Sequence, residues 1–167
     1  MKLFDLNVPL ETSPSEPLPV GVEHQSHQAS AQFMAGFFGA TVADLPHGYG
    51  WANDSVTMNA HSGTHVDAPW HYYPTCAEQP ARTIDQMPLE WFYGDGVVLD
   101  FRYKERGGLI YAADVQAALD KIGYALKRHD IVLIQTGADK FWGQAEYFNA
   151  GAGMTAESTR WLIEHGI

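Results

Sequence analysis

Residues 61–71 read His61-Ser62-Gly63-Thr64-His65-Val66-Asp67-Ala68-Pro69-Trp70-His71. Three imidazoles and one carboxylate stand within this stretch, and a glycine lies between the first two histidines. Each of those side chains is a ligand type for divalent cations. A lone histidine on a polar face is ordinarily just solvated. Two histidines and an aspartate bracketing a glycine are better explained by an ion that draws them together. His61, His65 and Asp67 are therefore the candidate ligands. His71 stays open on spacing alone: it suits a further ligand, a catalytic base, or a bystander that hydrogen-bonds beside the site.

The residues just upstream set the geometry. Val56, Met58 and Ala60 alternate with Thr57 and Asn59, the pattern of a half-buried strand, and His61 continues its polar face. Gly63, His65 and Asp67 share that parity. A fully extended chain holds the α-carbons of residues 61 and 65 roughly 13 Å apart, at ~3.3 Å per residue. One ion taking imidazole nitrogens at about 2.0–2.1 Å requires the side chains to converge. The chain must bend, and Gly63 bends most cheaply because it tolerates backbone angles that other residues avoid. A helix also puts residues 61 and 65 on one face, but Gly63, β-branched Thr64 and Val66, and Pro69 oppose it. The expectation is a strand that ends in a metal-binding loop. The Thr64 hydroxyl either orients a ligand or, more plainly, stabilises the turn.

The chain as a whole sets limits. Its 167 residues suit one well-buried domain over 1–167, and 46% of them are hydrophobic. Twenty acidic against ten basic residues give a formal charge of -10. That balance argues against nucleic acid and anionic membranes as partners, since both need a basic footprint. The single Cys76 cannot form an internal disulfide and fits a reducing compartment. Charges at Lys2 and Asp5 come too early for a signal-peptide core, and no apolar run reaches membrane-spanning length. A soluble, cytoplasmic protein is expected.

Flanking segments read as scaffold. Phe4, Leu6, Val8 and Leu10 alternate with Asp5, Asn7 and Pro9, so 4–10 is expected as a short strand that Pro9 places at an edge or at its own end. Pro14, Pro17 and Pro19 make 11–21 an extended loop. Residues 24–38 are partly helix-tolerant. Phe33, Met34, Phe37 and Phe38 there suit an aromatic flap over the site, with His24 and His27 as contributors, or ordinary core packing. Residues 41–54 read as a loop in which Tyr49 and Trp51 either line a pocket for a flat ring or simply pack.

Further on, Thr83 and Gln86 are spaced as a capping box. Val97 to Phe101 reads as a buried strand. Val115, Ala118, Leu119 and Ile122 fall at helical spacing, with Asp114 in the first turn and Gly123 as the stop. His129 is a turn residue before Ile131–Ile134, an apolar run suited to a central strand. The loop 135–137 that follows is of the kind that faces active sites. Thr155 caps a final helix ended by Gly166.

The 61–71 stretch also resembles the His-x-Gly-Thr-His-x-Asp-x-Pro-x-His signature of the cyclase-like metal-dependent hydrolase family, which includes bacterial kynurenine formamidase and isatin hydrolase. Every fixed position of the signature is present. Phe4-Asp5-Leu6-Asn7-Val8-Pro9-Leu10 and Asp130-Ile131-Val132-Leu133-Ile134-Gln135-Thr136-Gly137 are similar to family segments too. The resemblance implies an α/β fold, a mixed-sheet swivelling β/β/α-type domain. It also implies a homo-oligomer, a dimer or higher, to which exposed aromatic surface would contribute. The strand–helix alternation calls for a further strand beyond Ile167. The family's second metal-binding histidine and glutamate lie beyond that point, so the chain is expected to lack a C-terminal part.

The chemistry expected at such a site is hydrolysis. A two-histidine, one-carboxylate site leaves positions for water and substrate, and zinc lowers the pKa of bound water from 15.7 to about 7. Manganese suits the same ligands. His71 is the candidate catalytic residue that takes the water's proton or delivers one to the leaving nitrogen. The resemblance implies an amide substrate: an N-formyl group on an aromatic amine, or a cyclic lactam such as isatin. Two other classes compete. His65, Asp67 and one more histidine match the ligand set of non-haem Fe(II) oxygenases, although there the other histidine commonly lies far along the chain. A non-catalytic metal- or ligand-binding domain is the third.

Overall fold

The computed structural model describes residues 2–167, which form two compact units, one ending at His65 and one running from Val66 to Ile167. In the first unit, β1 (Gly21–Gln25) pairs antiparallel with β2 (Asn53–Thr57), and α1 (His27–Phe37) lies between them in sequence. Val22 stands opposite Val56 and His24 opposite Asp54, where the His24 Nδ1 and Asp54 Oδ1 atoms are 2.7 Å apart. The N-cap of α1 is Ser26, whose hydroxyl accepts the Ala29 N–H. The helix buries its small residues: Ala31 and Ala35 pack with Leu45. Gly50 explains the small face, since a Cβ there would stand 2.8 Å from the Ala31 backbone. With the inner side this tight, Phe33, Phe37 and Phe38 are left exposed.

The second unit starts with α2 (Pro69–Tyr72) and a hairpin of β3 (Thr75–Cys76) and β4 (Gln79–Pro80). Next come β5 (Gly96–Asp100), β6 (Leu109–Ile110), α3 (Ala112–Ile122), β7 (Ile131–Gln135), β8 (Gly153–Met154) and α4 (Ala156–Glu164). Strands β5 and β7 are parallel, with Val97 beside Val132 and Leu99 beside Ile134. Strands β6 and β8 form a second, two-residue parallel pair. A parallel pair needs a crossover, and α3 supplies it. Val97, Leu99, Phe101, Ile110, Val115, Leu119 and Leu162 close into one core. This mixture of helices with parallel and antiparallel strand pairs is the α/β class expected.

The helix ends follow the signals in the sequence. The Asp114 carboxylate accepts the Tyr111 N–H at 2.8 Å and the Lys104 ammonium at 2.8 Å. Gly123 ends α3 in the left-handed conformation at φ 65°. Thr155 caps α4 through the Ser158 N–H. Thr83 and Gln86 form their capping box around a short 3₁₀ turn. His129 sits in a turn at φ 65°. Beside it Asp130, 5% exposed, accepts from the Tyr124 hydroxyl at 2.9 Å and the Lys127 N–H at 2.8 Å.

Three expectations are corrected. Residues 4–10 form no strand; their apolar side chains Phe4 and Leu6 are exposed, so alternation there reflects no buried face. Strand β2 is exposed along its length and ends at Thr57, short of Met58–Ala60. The cause is Asn59, whose side-chain oxygen accepts the His61 N–H and whose carbonyl accepts the Ser62 N–H, turning the chain early. Lastly, β7 pairs with β5 alone among the described residues and leaves Leu133 39% exposed, so it is not central there.

Candidate metal centre

The turn at Asn59 is followed at once by Gly63, whose φ is +65°. That residue meets two constraints. Its positive φ is costly for any side chain, and a Cβ would stand 2.9 Å from Leu10 Cδ2. Two distant groups hold the bend. The Gly63 N–H donates to Glu16 Oε2 at 3.1 Å, and the Val8 N–H donates to Thr64 Oγ1 at 3.0 Å. Thr64 is thus a brace between this loop and the N-terminal segment, a long-range role rather than a bond within the turn itself. Ser62 between them is buried.

The bend brings the predicted ligands together. One donor atom from each of His61, His65 and Asp67 lies within 4.8 Å of the others. The His61 Nδ1 and His65 Nε2 atoms are 3.3 Å apart, with ring planes at 78°. His65 Nδ1 lies 2.8 Å from the Gly63 carbonyl oxygen. A carbonyl only accepts, so Nδ1 carries the proton, and in the neutral ring Nε2 keeps its lone pair. Two imidazole nitrogens that share one tetrahedral ion at about 2.0–2.1 Å stand roughly 3.3 Å apart. The donors present, a lone-pair nitrogen fixed by a carbonyl, a second nitrogen at ligand spacing and a carboxylate, fit a divalent cation.

Asp67 has a partner that sequence reading missed. The Tyr72 hydroxyl donates to Asp67 Oδ2 at 3.0 Å. That hydrogen bond to the carboxylate, with partial burial and the negative charge, pushes the Tyr72 phenol up from its usual range. The five-residue spacing fits neither strand parity nor a helical face, so no periodic signal marks the pair. It forms because Pro69 opens α2, a single turn that follows the extended Ala68.

His71 lies on that same turn, exposed, its ring 4.9 Å from that of Tyr72. It is not among the three convergent donors. Neither are His24, held by Asp54, and His27, whose ring meets Tyr49 at 6.4 Å. Trp51 packs edge-on against Phe38 at 5.6 Å. Two residues after Asp67, Pro69 lines a cleft of about 480 Å³ with Pro80, Arg82, Met87 and Trp91.

Residues 4–167 match the Cyclase family, described as "Putative cyclase". The chain belongs to that family. Its fold is also that of solved cyclase-family relatives. Isatin hydrolase A from Ralstonia solanacearum superposes with a TM-score of 0.66 at 24% identity, over 95% of this chain and 61% of that one. A structure described as a novel cyclase gives 0.67 at 23% identity, over 97% of this chain and 62% of the other. This cyclase-family chain therefore spans about three-fifths of the length of both solved structures. No curated protein matches its sequence. No helix among the described residues is long and apolar enough to cross a membrane.

Proposed function

We propose that the protein is a metal-dependent hydrolase that cleaves an amide, with His61, His65 and Asp67 as ligands of one Mn²⁺ or Zn²⁺ ion. The observation that carries this reading is the convergence of those three donors within 4.8 Å. A cation bound there supplies Lewis acidity and lowers the pKa of a water it holds toward neutrality.

The chain's own residues do the rest. Gly63 holds the bend, and its carbonyl fixes the His65 tautomer so that Nε2 faces inward. Asp67 adds a negative charge that offsets part of the cation's. His71 takes a proton from the attacking water and returns one to the leaving nitrogen, a task for which an imidazole suits neutral pH. The substrate is a small amide, an N-formyl aryl amine or a lactam such as isatin. The similarity to isatin hydrolase A and the apolar walls of the cleft beside Pro69 support this choice. A cytoplasmic homo-oligomer remains the expected setting.

Metal analysis paired with hydrolysis assays on isatin and N-formylkynurenine tests the reading. Turnover that needs Mn²⁺ or Zn²⁺, and that is lost in His71→Ala with the metal retained, is expected. A fully metallated protein inactive on all such amides overturns it.

A further inference from the structure

From the Tyr72–Asp67 contact we infer that Tyr72 is a positioning residue for the metal centre: its hydroxyl fixes the orientation of the Asp67 carboxylate, the one acidic donor of the trio. The inference rests on the metal reading above and adds what orients one of its ligands.

The geometry is specific. A carboxylate turns freely about its Cβ–Cγ bond and binds cations through one oxygen or both. The Tyr72 hydroxyl lies 3.0 Å from Asp67 Oδ2, within hydrogen-bonding range, and it can only donate to a carboxylate. This bond opposes that rotation and takes up one of the carboxylate's lone pairs. Any reorientation of the carboxylate about that bond would weaken its contact with the Tyr72 hydroxyl. Tyr72 is otherwise little anchored: its side chain is 72% exposed, on a four-residue helix. A ring with so little burial contributes little packing, so its effect is read at Asp67. Partners that orient a metal ligand typically change affinity by about 10- to 100-fold when removed.

The test compares the protein with Tyr72→Phe by titration with Mn²⁺ alone, following affinity and stoichiometry, and by the Co²⁺ absorption spectrum. The expected result is about 10- to 100-fold weaker binding, an altered Co²⁺ spectrum, and an unchanged melting temperature without metal. The loss should vanish when both proteins also carry Asp67→Asn, because Tyr72 acts through that carboxylate. Equal affinity and identical spectra overturn the inference and leave the metal reading standing. A loss that persists in the Asp67→Asn background also overturns it, since Tyr72 would then act elsewhere. A wild-type protein that binds no ion removes both.

Discussion

The Nδ1 atom of His65 lies 2.8 Å from the carbonyl oxygen of Gly63, two residues earlier on the same loop. The backbone at the bend thus sets which nitrogen of the ring faces the other donors. On the proposed ligand set, removing the ring should abolish metal binding and little else. In His65→Ala, titration with Zn²⁺ should show no uptake at this site. The ring is exposed, so stability without metal should stay within about 0.5 kcal/mol by chemical denaturation.

Gly63→Ala probes the bend itself. Its φ of +65° strains any side chain, and the new Cβ crowds Leu10. Leu10 is flexible and can yield, so the left-handed strain dominates, at roughly 1–2 kcal/mol. Urea denaturation should show that loss, together with weaker metal binding. An unchanged midpoint would mean that the loop relaxes without consequence.

Thr64→Val keeps the shape and removes the acceptor for the Val8 N–H. The bond is exposed, so water replaces part of it and the loss should be about 0.5–1 kcal/mol. Hydrogen exchange at Val8 should quicken. Exchange no faster than in the wild type would show that this brace does not form in solution.

Asp130 gives a prediction with a definite sign. Hydrogen bonds from the Lys127 N–H and the Tyr124 hydroxyl, with the Lys127 ammonium nearby, hold its carboxyl below the ordinary 3.8. A carboxylate whose pKa is lowered by folding stabilises the fold above its unfolded value and loses that contribution as pH falls through the folded one. Asp130→Asn should therefore be less stable at pH 7, and the gap to wild type should narrow below about pH 4. Melting temperatures measured from pH 7 to pH 2 check it; parallel curves would contradict it.

Leu99→Ala tests the core of the second unit. Leu99 is 1% exposed and central to the cluster around β5 and α3. Truncation should cost about 2–5 kcal/mol by denaturant unfolding.

Local signals carried far in this sequence. Thr155, Gly123 and the Thr83–Gln86 pair each act through atoms within a few residues, and each is found where spacing placed it. The convergence of the three donors was legible for the same reason, since they and a glycine sit on one short loop. What escaped depends on distance or on unsignalled backbone. The β6–β8 pair joins residues more than forty positions apart through two residues each. The β3–β4 hairpin turns at Ala77 and Glu78, both at positive φ, without the glycine or asparagine that marks such turns. Residues 4–10 misled because alternation implies a strand only when a sheet is there to pair with.

The loop's donors are contiguous, while the groups that steady it come from far upstream, at Glu16 and Val8. Gathering the ligands needs closure of only a few residues, at small entropic cost. Stiffening them depends on a segment some fifty residues away that supplies none of the three donors. Changes near the amino terminus should therefore act as a dial on how tenaciously the candidate site holds a cation, adjustable by selection without touching any of the three donors.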